Sequence, residues 1–397
     1  MHYRKRHITH VLSKRSKIFP VVGLVGPRQV GKSTTLITDW KAKTKANYIT
    51  LDKLENVNRA KVAPENFLLT ESSNLATRLI IDEIQKVPTL FDSIKAIIYQ
   101  KRRVGAFTIS GSVEFSDKTG VKESLAGRMG LCRLYPLNLS ELTHKTLNTT
   151  WVTAFKSVRN TTKIKDVEMW LERGGMPIFC ALHDQVERNI AINSWLEALC
   201  YRDIQQLKFS KLEGEVALQI LNYLAIYPDI SLVELAKKIG INRSSVPKYI
   251  SALEALFILY KIPVYKSRVA RAEYHLFDPA LLHYFTSDKS EIFRYEALKI
   301  LCINEIYSQF EYSLKPKPNI CTYKTPGGAK VELVVTLNNK LFGINLSLTD
   351  NIKPYDLRGL KSFLNKYQKA EGIILAPVTQ KFEIDKGITV LPWSMIG

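Results

Sequence analysis

Gly26-Pro27-Arg28-Gln29-Val30-Gly31-Lys32-Ser33 spells GxxxxGK[ST], and the residues around it narrow what the chain can fold into. The apolar run PVVGLVGP leads into it and reads as a buried parallel strand; Ser33-Thr34-Thr35-Leu36 opens a helix behind it. In a strand, glycine loop, helix arrangement the loop wraps back so that its amide hydrogens converge, and the helix N-terminus adds its positive dipole end. Residues 26 to 34, ending at Thr34, therefore form the expected phosphate-binding set for ATP. Lys32 would reach the β- and γ-phosphates, and the Ser33 hydroxyl would bind Mg²⁺.

About fifty residues on, Leu79-Ile80-Ile81-Asp82-Glu83 is an apolar strand ending in two acids. Asp82 is expected to hold the Mg²⁺ through water and Glu83 to polarise the attacking water. The next strand, FTISGS, ends in Ser110 and Ser112, which read either as γ-phosphate sensors or as turn residues. NYITLD at 47 to 52, RLIIDE at 78 to 83 and AFTISGS at 106 to 112 alternate with helix-forming stretches, so the first part of the chain is expected to be a doubly wound α/β domain.

The chain has 397 residues, 46% hydrophobic and 24% charged, which excludes disorder as its main state and allows several domains. Lys and Arg number 57 against 37 Asp and Glu, for a net charge of +20. An excess of this size points to a polyanionic partner, double-stranded DNA first, with lysine-rich solvated faces as the alternative. Arg4, Lys5, Arg6, Lys14, Arg15 and Lys17 crowd the first seventeen residues, as a phosphate-binding arm or a solvated leading helix. No apolar run is long enough for a membrane span and no secretion signal is apparent. Five scattered cysteines lack any CxxC pair, which argues against disulfides and structural zinc and for a reducing cytoplasm.

After Leu134 the periodicity turns helical until about residue 258. Within that stretch, residues 231 to 256 read as helix, glycine turn and helix, with Ser231 and Asn242 as caps and Leu235, Ala236, Ile241, Val246, Ile250 and Leu253 as a shared seam. In a DNA reader the second helix would carry Arg243, Ser244, Ser245, Lys248 and Tyr249 into the major groove, and the segment after it would form a β wing with Lys266, Arg268 and Arg271. A lid or packing module is the alternative. From about residue 320, VELVVTL, LFGINLSL, GIILAPV and GITVLPW surround a helical DLRGLKSFLNKYQKA, a second α/β domain.

GPRQVGKSTTL, LIIDEIQKVPTLFDSIK, TISGSVEF and ESLAGRMGLCRLYPLNLSEL, across about residues 20 to 142, resemble the prokaryotic AAA+-type ATPases with a C-terminal domain of unknown function related to PD-(D/E)XK nucleases. Charge, periodicity and the resemblance together divide the chain into an expected basic N-terminal arm (1–19), an AAA+-type P-loop domain (20–150), a helical linker or lid (151–215), a winged helix-turn-helix (216–285) and, as the resemblance implies, a degenerate nuclease-like domain (286–397). It places Arg128 on the arginine that such ATPases present to a phosphate, acting either in its own chain or across a homo-oligomer. GGMP at 174 to 177 and YRDI at 201 to 204 match the helical region, which makes Arg202 a candidate nucleotide sensor. In the tail it implies Glu305 and Glu332 as metal-site acids, but Asn345 and Ser347 stand where an acid and a lysine are expected, so the nuclease chemistry is expected to be lost. The reading is a cytoplasmic Mg²⁺-dependent ATPase coupled to DNA. Its alternatives are a DNA-binding regulator with a slow ATP switch and an ATP-gated nuclease.

Overall fold

The computed structural model describes residues 3–115, 125–156, 162–207, 212–267, 271–286 and 290–397. β1 (Val21–Val25), β2 (Asn47–Thr50), β3 (Leu79–Asp82), β4 (Phe107–Gly111) and β5 (Met129–Arg133) form a wholly parallel sheet in the order β2-β3-β4-β1-β5. All five residues of β1 are buried, as a central strand covered on both faces requires. Val25 lies beside Gly111 and Arg133, and Thr50 beside Asp82, so the carboxyl ends of these strands open along one edge. That edge is where parallel sheets take their ligands. Hydropathy does not pick out β5, because MGLCR contains a glycine and holds Leu131 at 36% exposure on the sheet's rim.

The leading basic segment is folded into this domain. Ile8–Arg15 is a helix with Ile8, Val11 and Leu12 fully buried. Arg6 is buried, donating to the carbonyls of Val30 (2.8 Å) and Tyr135 (2.6 Å) and to Glu141 (3.1 Å), while Arg15 pairs with Glu311 at 3.1 Å. Those two cations are committed to internal partners and are not available as a phosphate-binding arm.

The middle is helical as expected, with Ile164–Arg173, Gln185–Glu197 and Gly214–Ile226 as its longer helices before Leu232–Ile239 and Val246–Ala255. The Ser231 hydroxyl caps the first of that last pair by accepting from the Glu234 amide at 3.0 Å. Gly240 ends it at φ +78°, a left-handed position that suits glycine. Asn242 differs from its expected role: its side chain closes the turn by accepting from the Ser244 amide, and the helix starts later, after Ser245. Leu235, Ala236, Val246, Ile250 and Leu253 are buried together along the seam. An antiparallel pair follows, β6 (Leu259–Ile262) and β7 (Glu273–Leu276).

The tail contains the 22-residue helix Glu291–Tyr312 and a six-stranded sheet. Its strands are β8 (Ile320–Lys324), β9 (Lys330–Leu337), β10 (Lys340–Leu346), β11 (Glu371–Ala376), β12 (Phe382–Asp385) and β13 (Ile388–Pro392), in the order β12-β13-β11-β10-β9-β8. β8 and β12 escape the sequence reading because both are short edge strands. The segment after β6 joins this sheet: Val264 bridges to Thr322, whose amide donates to Pro263 and whose carbonyl accepts from Tyr265.

Candidate nucleotide site

Two glycines in the loop are demanded by geometry. A Cβ at Gly26 would stand 2.4 Å from the Leu134 carbonyl oxygen, and Gly31 has φ +101°. The helix starts at Lys32, directly behind Gly31. Lys32 is 4% exposed, and its ammonium donates to the carbonyls of Gly26 and Pro27, each at 2.9 Å. Burial lowers its pKa, while Glu83 and Asp82 oppose the shift. The lysine thus sits at the centre of its own loop with both strand-end acids close enough to influence it.

Asp82 is buried at the tip of β3, and both its oxygens are engaged. Tyr48 donates to Oδ2 at 2.7 Å and Ser110 donates to Oδ1. Glu83 adopts φ +58°, an uncommon conformation for a residue with a Cβ and one often stored at functional sites. Its carboxylate accepts from Ser112 at 3.2 Å and from Gln85, and Gln85 also donates to Ser112 at 3.1 Å. Ser110 and Ser112 therefore each hold one strand-end acid.

Arg28, Gln29, Gly31, Lys32, Ser33 and Thr34 line a cleft of about 350 Å³ together with Glu83, Gln85 and Ser112, and Arg202 and Asp203 of the helical segment also line it. Asp203 is 3.2 Å from Arg28, and the Trp195 indole donates to the Arg28 carbonyl. A second cavity, about 180 Å³, opens beside Gly31 and Thr34 and is bordered by Tyr3, Leu137 and Pro177. Sequence reasoning missed Tyr48, Gln85, Asp203 and this cavity. Gln85 was within reach, two residues after Glu83; the others arrive from distant parts of the chain.

Other expected site residues lie apart. Arg128 precedes β5, and its carbonyl accepts from the Val21 amide at the amino end of β1. Five strand residues at roughly 3.3 Å each separate it from the loop, about 16 Å, and it does not line the cleft of its own chain. Arg243, Ser244 and Lys248 are exposed around the start of Val246–Ala255. Tyr249 is not available to a partner: it is 5% exposed, and its hydroxyl accepts from the Glu213 amide at 2.9 Å. Lys266 lies over the rings of Tyr265 and Tyr367, and Arg268 falls outside the described residues.

In the tail, Glu305 does not meet Glu332. Glu305 is buried against the Leu139 amide and Gln309, and burial pushes its carboxyl up to about 7. Glu332 instead accepts from Lys299 at 2.9 Å and pairs with Lys330 at 3.1 Å. Lys299 and Glu305, six residues apart on one helix, are turned by roughly 240° from each other, which is why the two acids separate. Asn345 accepts from the Glu332 amide at 3.2 Å, and Ser347 donates to the Thr349 carbonyl. Among the described residues, no three His, Cys, Asp or Glu side chains group to hold a metal.

Residues 19–143 match the AAA domain family, residues 164–291 a domain of unknown function, DUF8612, and residues 300–396 another, DUF4143. Uncharacterized proteins of Mycobacterium bovis and Mycobacterium tuberculosis are each 24% identical over 95% of this chain and 81% of their own length. Among solved structures, a signal-transduction ATPase with numerous domains and a tetratricopeptide repeat sensor, from Pyrococcus horikoshii, is 11% identical over 79% of this chain and 48% of its own, with a TM-score of 0.32. AMPPCP-bound DnaA from Aquifex aeolicus is 13% identical over 62% of this chain and 85% of its own, with a TM-score of 0.26. Among the described residues, no helix is long and apolar enough to cross a membrane. With the glycine loop, the strand-end acids and the sheet in place, the N-terminal part of this chain is an AAA-type P-loop ATPase domain.

Proposed function

We propose that the chain is a Mg²⁺-dependent ATPase whose nucleotide state is passed to a winged helix-turn-helix that binds double-stranded DNA. The contact that carries the coupling is short. Ser112 holds Glu83, and two residues later the Glu114 amide donates to the Ala255 carbonyl at 2.9 Å, at the end of Val246–Ala255. Phe257, two residues beyond that, is buried in the hydrophobic core of the ATPase domain. A rearrangement around the γ-phosphate would therefore pull on the helix that bears Arg243, Ser244 and Lys248.

Hard oxygen donors suit magnesium: the Ser33 hydroxyl would bind it directly and the Asp82 carboxylate would hold it through water, with phosphates completing the shell. The ion would neutralise charge developing on the phosphates. Lys32 would exchange its loop carbonyls for phosphate oxygens, and Glu83, fixed by Gln85 and Ser112, would take the proton of the attacking water. The base would lie in the cavity beside Tyr3, Leu137 and Pro177. Arg202 would face the phosphates, and Arg128 would act only on a neighbouring subunit's nucleotide, so turnover would depend on assembly. Five free thiols fit a cytoplasmic protein. The Glu332–Lys299 pair fits a tail without cleavage chemistry, kept for packing or partner binding.

Turnover should change when duplex DNA is added, and duplex affinity should fall by orders of magnitude between ~50 and ~200 mM salt as condensed counterions are released. Charge reversal of Arg243 and Lys248 together with Lys266 and Arg268 should remove most of that binding. Turnover indifferent to DNA would leave a plain ATPase, and binding that ignores salt or survives the reversal would refute this surface.

A further inference from the structure

The Tyr48 phenol touches the strand-end acid on the metal side of the site. Tyr48 lies on β2 beside Ile80, two residues before Asp82, so its side chain stands on the same face of the sheet as the Asp82 carboxylate. Its hydroxyl donates to Asp82 Oδ2 at 2.7 Å. Ser110, from β4 on the other flank, takes the remaining Asp82 oxygen.

We infer that Tyr48 is a positioning residue for the metal–nucleotide complex, its hydroxyl, together with that of Ser110, fixing the orientation of the Asp82 carboxylate that would hold Mg²⁺ through water. The inference rests on the Mg²⁺-ATPase reading above. Without the hydroxyl, Asp82 keeps, among the described residues, the Ser110 bond and can turn about its terminal torsion. The ring remains in Tyr48→Phe, so packing is retained. Phosphate contacts made by the loop amides and Lys32 do not involve the phenol, so nucleotide affinity without metal should be unchanged.

The experiment measures binding of a fluorescent ATP analogue to the full chain in EDTA and across a Mg²⁺ titration, with Mn²⁺ binding to the protein–nucleotide complex followed by electron paramagnetic resonance. In Tyr48→Phe the Mg²⁺ concentration for half-maximal effect should rise roughly tenfold, the worth of one hydrogen bond to a charged group, and excess Mg²⁺ should restore affinity. Affinity in EDTA should stay within about twofold of the parent. In an Asp82→Asn background the same change should add little, because the two act through one another. An unaltered Mg²⁺ midpoint, an equal loss in EDTA, or fully additive effects in the double variant would overturn the assignment. A parent protein whose nucleotide binding ignores metal would instead remove the Mg²⁺-ATPase reading itself.

Discussion

Lys32→Ala is expected to abolish measurable nucleotide binding, whereas Glu83→Gln is expected to bind ATP as the parent does and to lose hydrolysis by roughly 10²- to 10⁴-fold. The contrast follows from where the two side chains stand. Lys32 is the cation at the centre of the loop, within 2.9 Å of two carbonyls that surround the phosphate cradle. Its replacement removes phosphate contacts in ground state and transition state alike. Glu83 lines the same cleft, held by Ser112 and Gln85, and its charge is needed only when a water proton moves. A glutamine keeps the size and the capacity to accept from Ser112 while removing the base. Equilibrium binding with an ATP analogue and single-turnover phosphate release separate the two. Hydrolysis by Glu83→Gln at the parental rate would take that residue out of the mechanism.

Much of this site is legible in the residues because its parts are local. A glycine loop between an apolar strand and a helix needs no tertiary information, and a strand ending in Asp-Glu announces where it stops. The legible portion ends where partners come from far along the chain. Tyr48 and Asp82 are 34 residues apart, and Arg28 and Asp203 are 175 apart. Neither separation leaves a periodic trace. The strands missed, β5, β8 and β12, are short rim or edge strands whose half-buried or exposed polar positions dilute the hydropathy signal. Arg6 and Arg15 misled for a related reason. Charge in a leading segment reads as solvent-facing, yet Arg6 is stabilised inside the fold by Glu141 and two carbonyls. Glu305 was placed by its position on a helix, and only the helix's rotation shows that it faces Leu139 and not the tail sheet.

Lys299→Met is expected to destabilise the protein by about 3–5 kcal/mol at neutral pH, the usual cost of leaving buried charges without their partner. Lys299 is 1% exposed and links Glu273 on β7 to Glu332 on β9, so it joins the hairpin to the tail sheet. His275, fully buried, bridges Glu273 and Glu296 beside it. Burial alone would raise the carboxylates and lower the lysine and the imidazole, but the opposite charges win: Glu273, Glu296 and Glu332 are held below their ordinary range, and Lys299 and His275 above theirs. The carboxylate contribution is therefore present above about pH 4.5 and lost as acid protonates them, while the histidine contribution is full below about pH 6.5 and lost as pH rises through its folded value. Lys324 and Lys330 remain as more exposed partners and set the loss toward the lower figure. Once the lysine is gone, the stranded acids can escape the penalty by taking protons, so the difference from the parent should shrink as pH falls from 7 toward 4.5. Adding Glu332→Gln should recover part of the loss at pH 7. Urea denaturation of parent and variants across that range measures both effects. A difference that stays flat with pH would mean that Lys299 contributes by packing its alkyl chain and that the ionic account of this joint is wrong.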